Sequence, residues 1–246
     1  MFDLSGHVAL VTGAGQGVGA GVARALGAQG AAVAVNDVFD ERATGVVEEI
    51  AAAGGRAATA VADVTDGDAV SAMVASVEAT LGAVDILVNN AGIPSDGFQL
   101  KTFREMSVDD WDRFVDLNLY AVLHCTRAVI DGMCERGWGR IVTVSSEAGR
   151  HGAHIGISLY GAAKAGAVGF SRHLAKEVGP FGVTVNCVAL GDIDRGVPDE
   201  ARRRRYPVGR LGRPDDVAGA IVWLASEEAE WVTGQNVPVN GGYFTG

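Results

Sequence analysis

Tyr160 and Lys164 stand four positions apart in SLYGAAKAGAVGF, downstream of the pair Ser145-Ser146. On a helix that spacing puts both side chains on one face, with Cβ atoms about 5–6 Å apart. An ammonium so placed favours the phenolate, because an opposite charge stabilises the ionised form. At roughly 4–5 Å and an effective dielectric near 20 the attraction is about 3–4 kcal/mol. That is enough to bring a phenol from about 10 towards neutrality, and a tyrosine that exchanges a proton there is a general acid/base. The plainer alternative is a half-buried tyrosine beside a solvated lysine.

A second cluster opens the chain. The apolar run His7 to Val11 leads into Thr12-Gly13-Ala14-Gly15-Gln16-Gly17-Val18-Gly19 and then an Ala-rich helical stretch. Glycines between a strand and a helix let the backbone approach a pyrophosphate at the helix N-terminus, which attracts anions. Gly13, Gln16, Gly17, Val18 and Gly19 are the candidate contacts, and Gly15-x-Gly17-x-x-Ala20 satisfies the general dinucleotide fingerprint. The next apolar run ends in Asn36-Asp37. An acid there accepts hydrogen bonds from the adenosine ribose and repels a 2′-phosphate. With no cation at Gln16, the expectation is NAD rather than NADP; the alternative for Asp37 is a turn residue or a cap for the helix near Asp40.

Three weaker signals follow other apolar runs. Asp63-Val64 either meets the adenine amino group or simply turns the chain. Asn89-Asn90-Ala91-Gly92 suits tight backbone geometry, and alone it reads as a turn. Asn118 falls inside a long helical stretch, where Asn is a poor helix former, so a hydrogen-bonding role is plausible without being forced.

These residues need a frame that brings them together. Val-rich runs at His7–Val11, Ala31–Asn36, Arg56–Val61, Asp85–Asn90, Arg140–Ser146, Val183–Leu190 and Gln235–Val239 alternate with amphipathic stretches. The stretches are Gly17–Gln29, Asp40–Ala53, Asp66–Leu81, Val108–Arg136, Ser158–Val178 and Asp215–Ser226. Such alternation specifies an α/β fold, a doubly wound parallel sheet with helices on both faces. Its ligand crevice lies beyond the C-terminal ends of the strands, where the candidate residues fall. With no repeat or linker, residues 1–246 read as one domain.

The totals exclude several classes. A net charge of −10 argues against nucleic-acid binding. No apolar run approaches the roughly 20 residues of a membrane span. Three widely spaced cysteines without a CxxC read as reduced apolar fillers, and the N-terminus shows no signal-peptide pattern. The expectation is a soluble cytoplasmic protein.

Thr12-Gly13-xxx-Gly17-x-Gly19, Asn89-Asn90-Ala91-Gly92, Asn118, Ser146 and Tyr160-xxx-Lys164, in that order, resemble the short-chain dehydrogenase/reductase family over essentially the whole chain. The resemblance implies a Rossmann-type sheet of about seven strands and hydride transfer between a nicotinamide and a secondary alcohol or ketone. It implies Tyr160 as acid/base, Ser146 holding the substrate oxygen, Lys164 lowering the Tyr160 pKa and binding the nicotinamide ribose, and Asn118 anchoring a proton-relay water. Asn90, Ala91, Gly92 and the Ile193 backbone would complete the cofactor site. Ser145 competes with Ser146, which is preferred for its Ser-x-x-Gly context. The loop Arg150 to Gly156 is about one residue longer than usual in the family.

Leu190 and Arg195 stand where the family usually has Pro and Thr. A short substrate lid is expected near 194–210; its run Arg202–Arg205 is either a solvated face or a cationic rim for a substrate phosphate. The implied substrates are a 3-hydroxyacyl/3-oxoacyl thioester, as for a 3-oxoacyl reductase, or a bulky alicyclic, steroid-like alcohol, handled by a homotetramer. A nicotinamide-retaining epimerase or dehydratase and a non-enzymatic dinucleotide sensor are the rival readings.

Overall fold

A computed structural model describes residues 1–93, 97, 100–152, 156–196 and 199–245. Residues 153–155 of the Arg150–Gly156 loop and 197–198 of the lid lie outside the described residues. Seven parallel strands form one sheet: β1 Val8–Val11, β2 Ala32–Val35, β3 Arg56–Thr59, β4 Ile86–Asn89, β5 Gly139–Ser146, β6 Val183–Leu190 and β7 Asn236–Val239. Their spatial order is β3-β2-β1-β4-β5-β6-β7. The order reverses between β1 and β4, so the crevice that such a sheet offers a ligand opens above those two strands.

The inner strands are apolar on both faces because helices cover both. α1 (Gly17–Ala28), α2 (Asp40–Ala52) and α8 (Pro214–Ala225) bury Val22, Leu26, Val46, Ile50 and Ile221 on one side. α3 (Gly67–Leu81), α5 (Ala121–Arg136) and α6 (Ser158–Val178) bury Val70, Val77, Val129, Met133 and Leu174 on the other. Local chemistry sets the ends: Asp66 accepts from the Asp68 and Ala69 amides to start α3, and Gly137, at φ 71°, closes α5.

The stretch expected as one helix from Val108 to Arg136 is interrupted. α4 (Val108–Val115) passes into a π turn at Asp116–Tyr120 before α5 begins. Single π turns often mark functional sites, and this one contains Asn118. The lid expected near 194–210 carries a short α7, Glu200–Arg203. Among the described residues no helix is long and apolar enough to cross a membrane.

Candidate active site

The turn after β1 is held open by backbone geometry. Gly13 has φ 58° and Gly17 φ 57°, the left-handed region that favours glycine. A Cβ at Gly19 would lie 2.3 Å from the Gly13 carbonyl oxygen and 2.5 Å from Asn90 Nδ2, so only glycine lets α1 approach the strand. Gln16 flanks α1 without capping it by its side chain, and no acid occupies the first turn. The helix therefore presents unsatisfied N–H groups to an anion.

Asn90, expected at the cofactor, braces this turn with its side chain. Its Nδ2 donates to the carbonyls of Thr12 (2.9 Å) and Gly13 (3.0 Å). The amides of Asn90 and Ala91 both donate to Thr12 Oγ1. Sequence reasoning passed over Asn36 as a strand end, yet its Oδ1 accepts from the Gly13 amide and its Nδ2 donates to Ala60 and Ala62. A buried Asn ending a strand was the available signal.

Asp37 is buried against the same turn. Its Oδ2 accepts from the Gly15 amide at 3.2 Å and its Oδ1 from Phe39 at 3.1 Å. A Cβ at Gly15 would fall 2.7 Å from that carboxylate and 2.6 Å from Arg42 Cβ. Asp63 is exposed and accepts from the Thr65 amide and hydroxyl, closing a turn, while Val64 is packed inside. Ile193 forms a bridge to Gly212, and the flanking Asp192 and Asp194 hydrogen-bond to Gly212 on either side of it.

β5 delivers the serines alternately. Ser145 is buried, 2 % exposed, on one face, and Ser146 stands at the strand end, where its Oγ accepts from the Ala148 amide at 3.1 Å. α6 carries Tyr160 and Lys164 on the face turned to Ser146, which hydrogen-bonds the Tyr160 phenol. Lys164 is 2 % exposed and donates to the Val144 carbonyl at 2.7 Å.

Here the electrostatics depart from the sequence expectation. Burial raises the Tyr160 phenol above its usual value; the Ser146 hydrogen bond and the Arg195 cation only oppose that. Lys164 Nζ lies 5.8 Å from the phenol ring centroid and is aimed at Val144 rather than the hydroxyl. Burial also lowers Lys164 itself to about 8. The polypeptide alone therefore does not set the tyrosine near neutrality.

Asn118, fully buried in the π turn, donates from Nδ2 to the Phe114 carbonyl at 3.1 Å. Its Oδ1 has no hydrogen-bond partner among the described residues. A Cβ at Gly92 would lie 2.7 Å from Asn118 Oδ1 and 2.7 Å from Lys164 Nζ. Both polar atoms face the same small space.

Each arginine of the lid run has a partner. Arg202 pairs with Asp192 at 3.0 Å, Arg203 with Asp194 at 3.8 Å and Arg204 with Glu200 at 3.6 Å. Arg205 hydrogen-bonds the Tyr243 hydroxyl and lies over its ring. The first two pairs fasten the lid to the loop after β6, the third lies within the lid, and Arg205 ties it to the C-terminal segment.

A family model described as enoyl-(acyl carrier protein) reductase matches residues 13–244. The chain belongs to the short-chain dehydrogenase/reductase family. Among relatives of this dehydrogenase/reductase, the (2S)-[(R)-hydroxy(phenyl)methyl]succinyl-CoA dehydrogenase subunit BbsD of Thauera aromatica is 42% identical, with 97% of each chain covered. The 3-oxoacyl-[acyl-carrier-protein] reductase FabG of Pseudomonas aeruginosa is 40% identical, over 98% of this chain and 99% of its own. A crystal structure of a gluconate 5-dehydrogenase from Burkholderia cenocepacia, in complex with NADP and tartrate, superposes with a TM-score of 0.90 at 34% identity, covering 98% of this chain and 96% of that one. The chain is thus an oxidoreductase of the family, with the seven-stranded parallel fold expected from its sequence. Such enzymes use a nicotinamide dinucleotide, and the open glycine turn, uncapped α1 and buried Asp37 fit one.

Proposed function

We propose that this single-domain enzyme interconverts a secondary alcohol and a ketone, with NAD(H) preferred to NADP(H). The observation that carries the reading is the meeting of Ser146, Tyr160 and Lys164 at the C-terminal end of β5, beside the space over Gly92. The nicotinamide, when bound, supplies the hydride acceptor or donor, and its positive charge in the oxidised form favours the phenolate. Tyr160 takes the alcohol proton during oxidation and returns one to the carbonyl oxygen during reduction. Ser146 holds that oxygen. Lys164, anchored on Val144, is placed to bind the nicotinamide ribose, and Asn118 with Lys164 can hold a water between them, since such a water needs two to four polar partners. Because burial holds the free phenol high, oxidation quickens and reduction slows as pH rises through the tyrosine pKa.

Asp37 supports the NAD preference. A 2′-phosphate set beside its carboxylate at roughly 4 Å would meet a repulsion of about 4 kcal/mol at an effective dielectric near 20. The opposing cation would have to be Arg42, whose guanidinium lies over the Phe39 ring. The expected result for Asp37→Ala is at least a tenfold fall in the NAD:NADP ratio of kcat/KM, about 1.4 kcal/mol. An unchanged ratio would remove Asp37 from the ribose.

For the substrate, the proposal is a 3-hydroxyacyl/3-oxoacyl thioester. Two relatives carry acyl-thioester substrates in their names, a 3-oxoacyl-[acyl-carrier-protein] reductase and a dehydrogenase of a hydroxy(phenyl)methyl-substituted succinyl-CoA. The pairings of Arg202–Arg205 favour a role for the run in seating the lid over one as a phosphate rim. A homotetramer is proposed alongside it, supported by the exposed Tyr120 and Trp231; light scattering that finds a monomer refutes it. A panel of acyl thioesters and alicyclic alcohols, followed at 340 nm with both dinucleotides, tests the reading. Product without stoichiometric NADH would instead indicate a redox-neutral enzyme.

A further inference from the structure

The residue after the catalytic serine is a buried acid. Glu147 is 6 % exposed, and burying an ionised carboxylate is costly unless hydrogen bonds compensate. Replacing a buried ion pair by apolar residues is often neutral or stabilising, so the burial of Glu147 points to a role beyond stability. Its Oε1 accepts from Asn240 Nδ2 at 2.9 Å and from Arg150 at 3.0 Å. Its Oε2 faces His151 Nε2 at 3.6 Å.

Asn240 belongs to the chain's C-terminal segment. The same Nδ2 donates to the Phe244 carbonyl, and Oδ1 accepts from Gly242, so the segment folds around this side chain. Phe244 stacks on His151 at 3.8 Å. Tyr243 packs edge-on against Phe244 at 4.5 Å and against Tyr206 at 5.1 Å. The Tyr206 hydroxyl accepts from the Asp192 amide. The C-terminal residues therefore grip the lid with one side and the turn after Ser146 with the other.

That turn has little freedom elsewhere. Glu147–Gly149 forms a single 3₁₀ turn in which the Ala148 amide donates to Ser146 Oγ. A Cβ at Gly149 would meet Ala165 N at 3.0 Å, and one at Gly161 would meet the Ala148 carbonyl at 2.7 Å. α6 packs on the turn from above, and Asn240 holds it from the side.

We propose that Glu147 is a positioning residue for the reaction, clamped by Asn240 of the C-terminal segment so that the Ser146 hydroxyl stays directed at Tyr160. The inference rests on the roles of Ser146 and Tyr160 given above. Ser146 is one of the two groups that lower the Tyr160 phenol, so releasing the clamp raises the pKa that governs alcohol oxidation.

The test compares wild type with Glu147→Ala, Glu147→Gln, Asn240→Ala and the double alanine variant, using Tyr160→Phe as the reference. Glu147→Ala should lower kcat by about 10²-fold, the order expected for a reacting group misplaced by an ångström, with KM nearly unchanged. The rising limb of its kcat–pH profile for oxidation should move upward by about half a pH unit or more. Glu147→Gln keeps an oxygen for Asn240 and Arg150 and should restore most of the rate. Asn240→Ala should shift the limb in the same direction, and the double variant should be no worse than Glu147→Ala, because the two act as one unit. A wild-type limb and rate in both alanine variants overturns the inference, as does equal loss in Gln and Ala. If Glu147→Ala does not fold, the limb of Asn240→Ala decides alone. A Tyr160→Phe enzyme of normal turnover would sink the catalytic reading and the clamp with it; an inactive one beside normal clamp variants sinks only the clamp.

Discussion

Tyr160→Phe is expected to lower kcat by about 10²–10⁴-fold, the range ascribed to a positioned acid/base. The substitution removes one hydroxyl from a ring that α6 already holds, so the fold and the Lys164 contact to Val144 should persist. Dinucleotide affinity, read by fluorescence titration, should therefore stay within about threefold, well under 1 kcal/mol. The loss should appear in kcat and kcat/KM together, the pattern of an interaction made in the transition state. The wild-type pH profile sharpens the claim. Burial lifts the free phenol, so without bound dinucleotide its titration should lie on the alkaline side of an ordinary tyrosine. On binding oxidised dinucleotide it should fall. Normal turnover in the variant, or a phenol that titrates identically with and without cofactor, would remove Tyr160 from the reaction.

The contrast between spacing and electrostatics shows what the sequence could carry. Tyr160 and Lys164 at i and i+4 were legible as neighbours, because helical geometry alone puts them there. Which way the ammonium points was not, since Val144 lies on β5 and claims it through a hydrogen bond 20 positions away. The sheet was legible for a similar reason: alternating apolar runs and amphipathic stretches leave few topologies. The π turn at Asn118 was hidden, because a one-residue slip in the hydrogen-bond ladder leaves the apolar period intact on either side. Asn90 stood out in the sequence for its place after a strand, but that its side chain reaches back to the Thr12 and Gly13 carbonyls was not legible there. That Arg202 and Arg203 pair with Asp192 and Asp194 was not legible in the sequence, since the acids stand apart from the run and only the folded chain brings them together. Pairings across long stretches of chain, such as Glu147 with Asn240, carry no local signature at all.

Gly92→Ala is the second large effect, and the change is only a methyl. That methyl would sit 2.7 Å from Lys164 Nζ and 2.7 Å from Asn118 Oδ1. Neither can retreat easily: Nζ is tied to Val144 at 2.7 Å and Asn118 to Phe114 at 3.1 Å. Overpacking of this kind costs about 1–3 kcal/mol, which in a protein of this size lowers Tm by roughly 2–4 °C per kcal/mol. Displacing Lys164 by even an ångström should reduce kcat by about 10²-fold. If the proposed water between Lys164 and Asn118 relays protons, filling that space should raise the solvent deuterium isotope effect on kcat as proton transfer becomes limiting. Gly45→Ala is the control: it lies in α2 with nothing within 4 Å of an added Cβ, and alanine should there be neutral or stabilising by about 0.5–1 kcal/mol. Full activity and an unchanged isotope effect in Gly92→Ala would show that the space between lysine and asparagine plays no part in moving the proton.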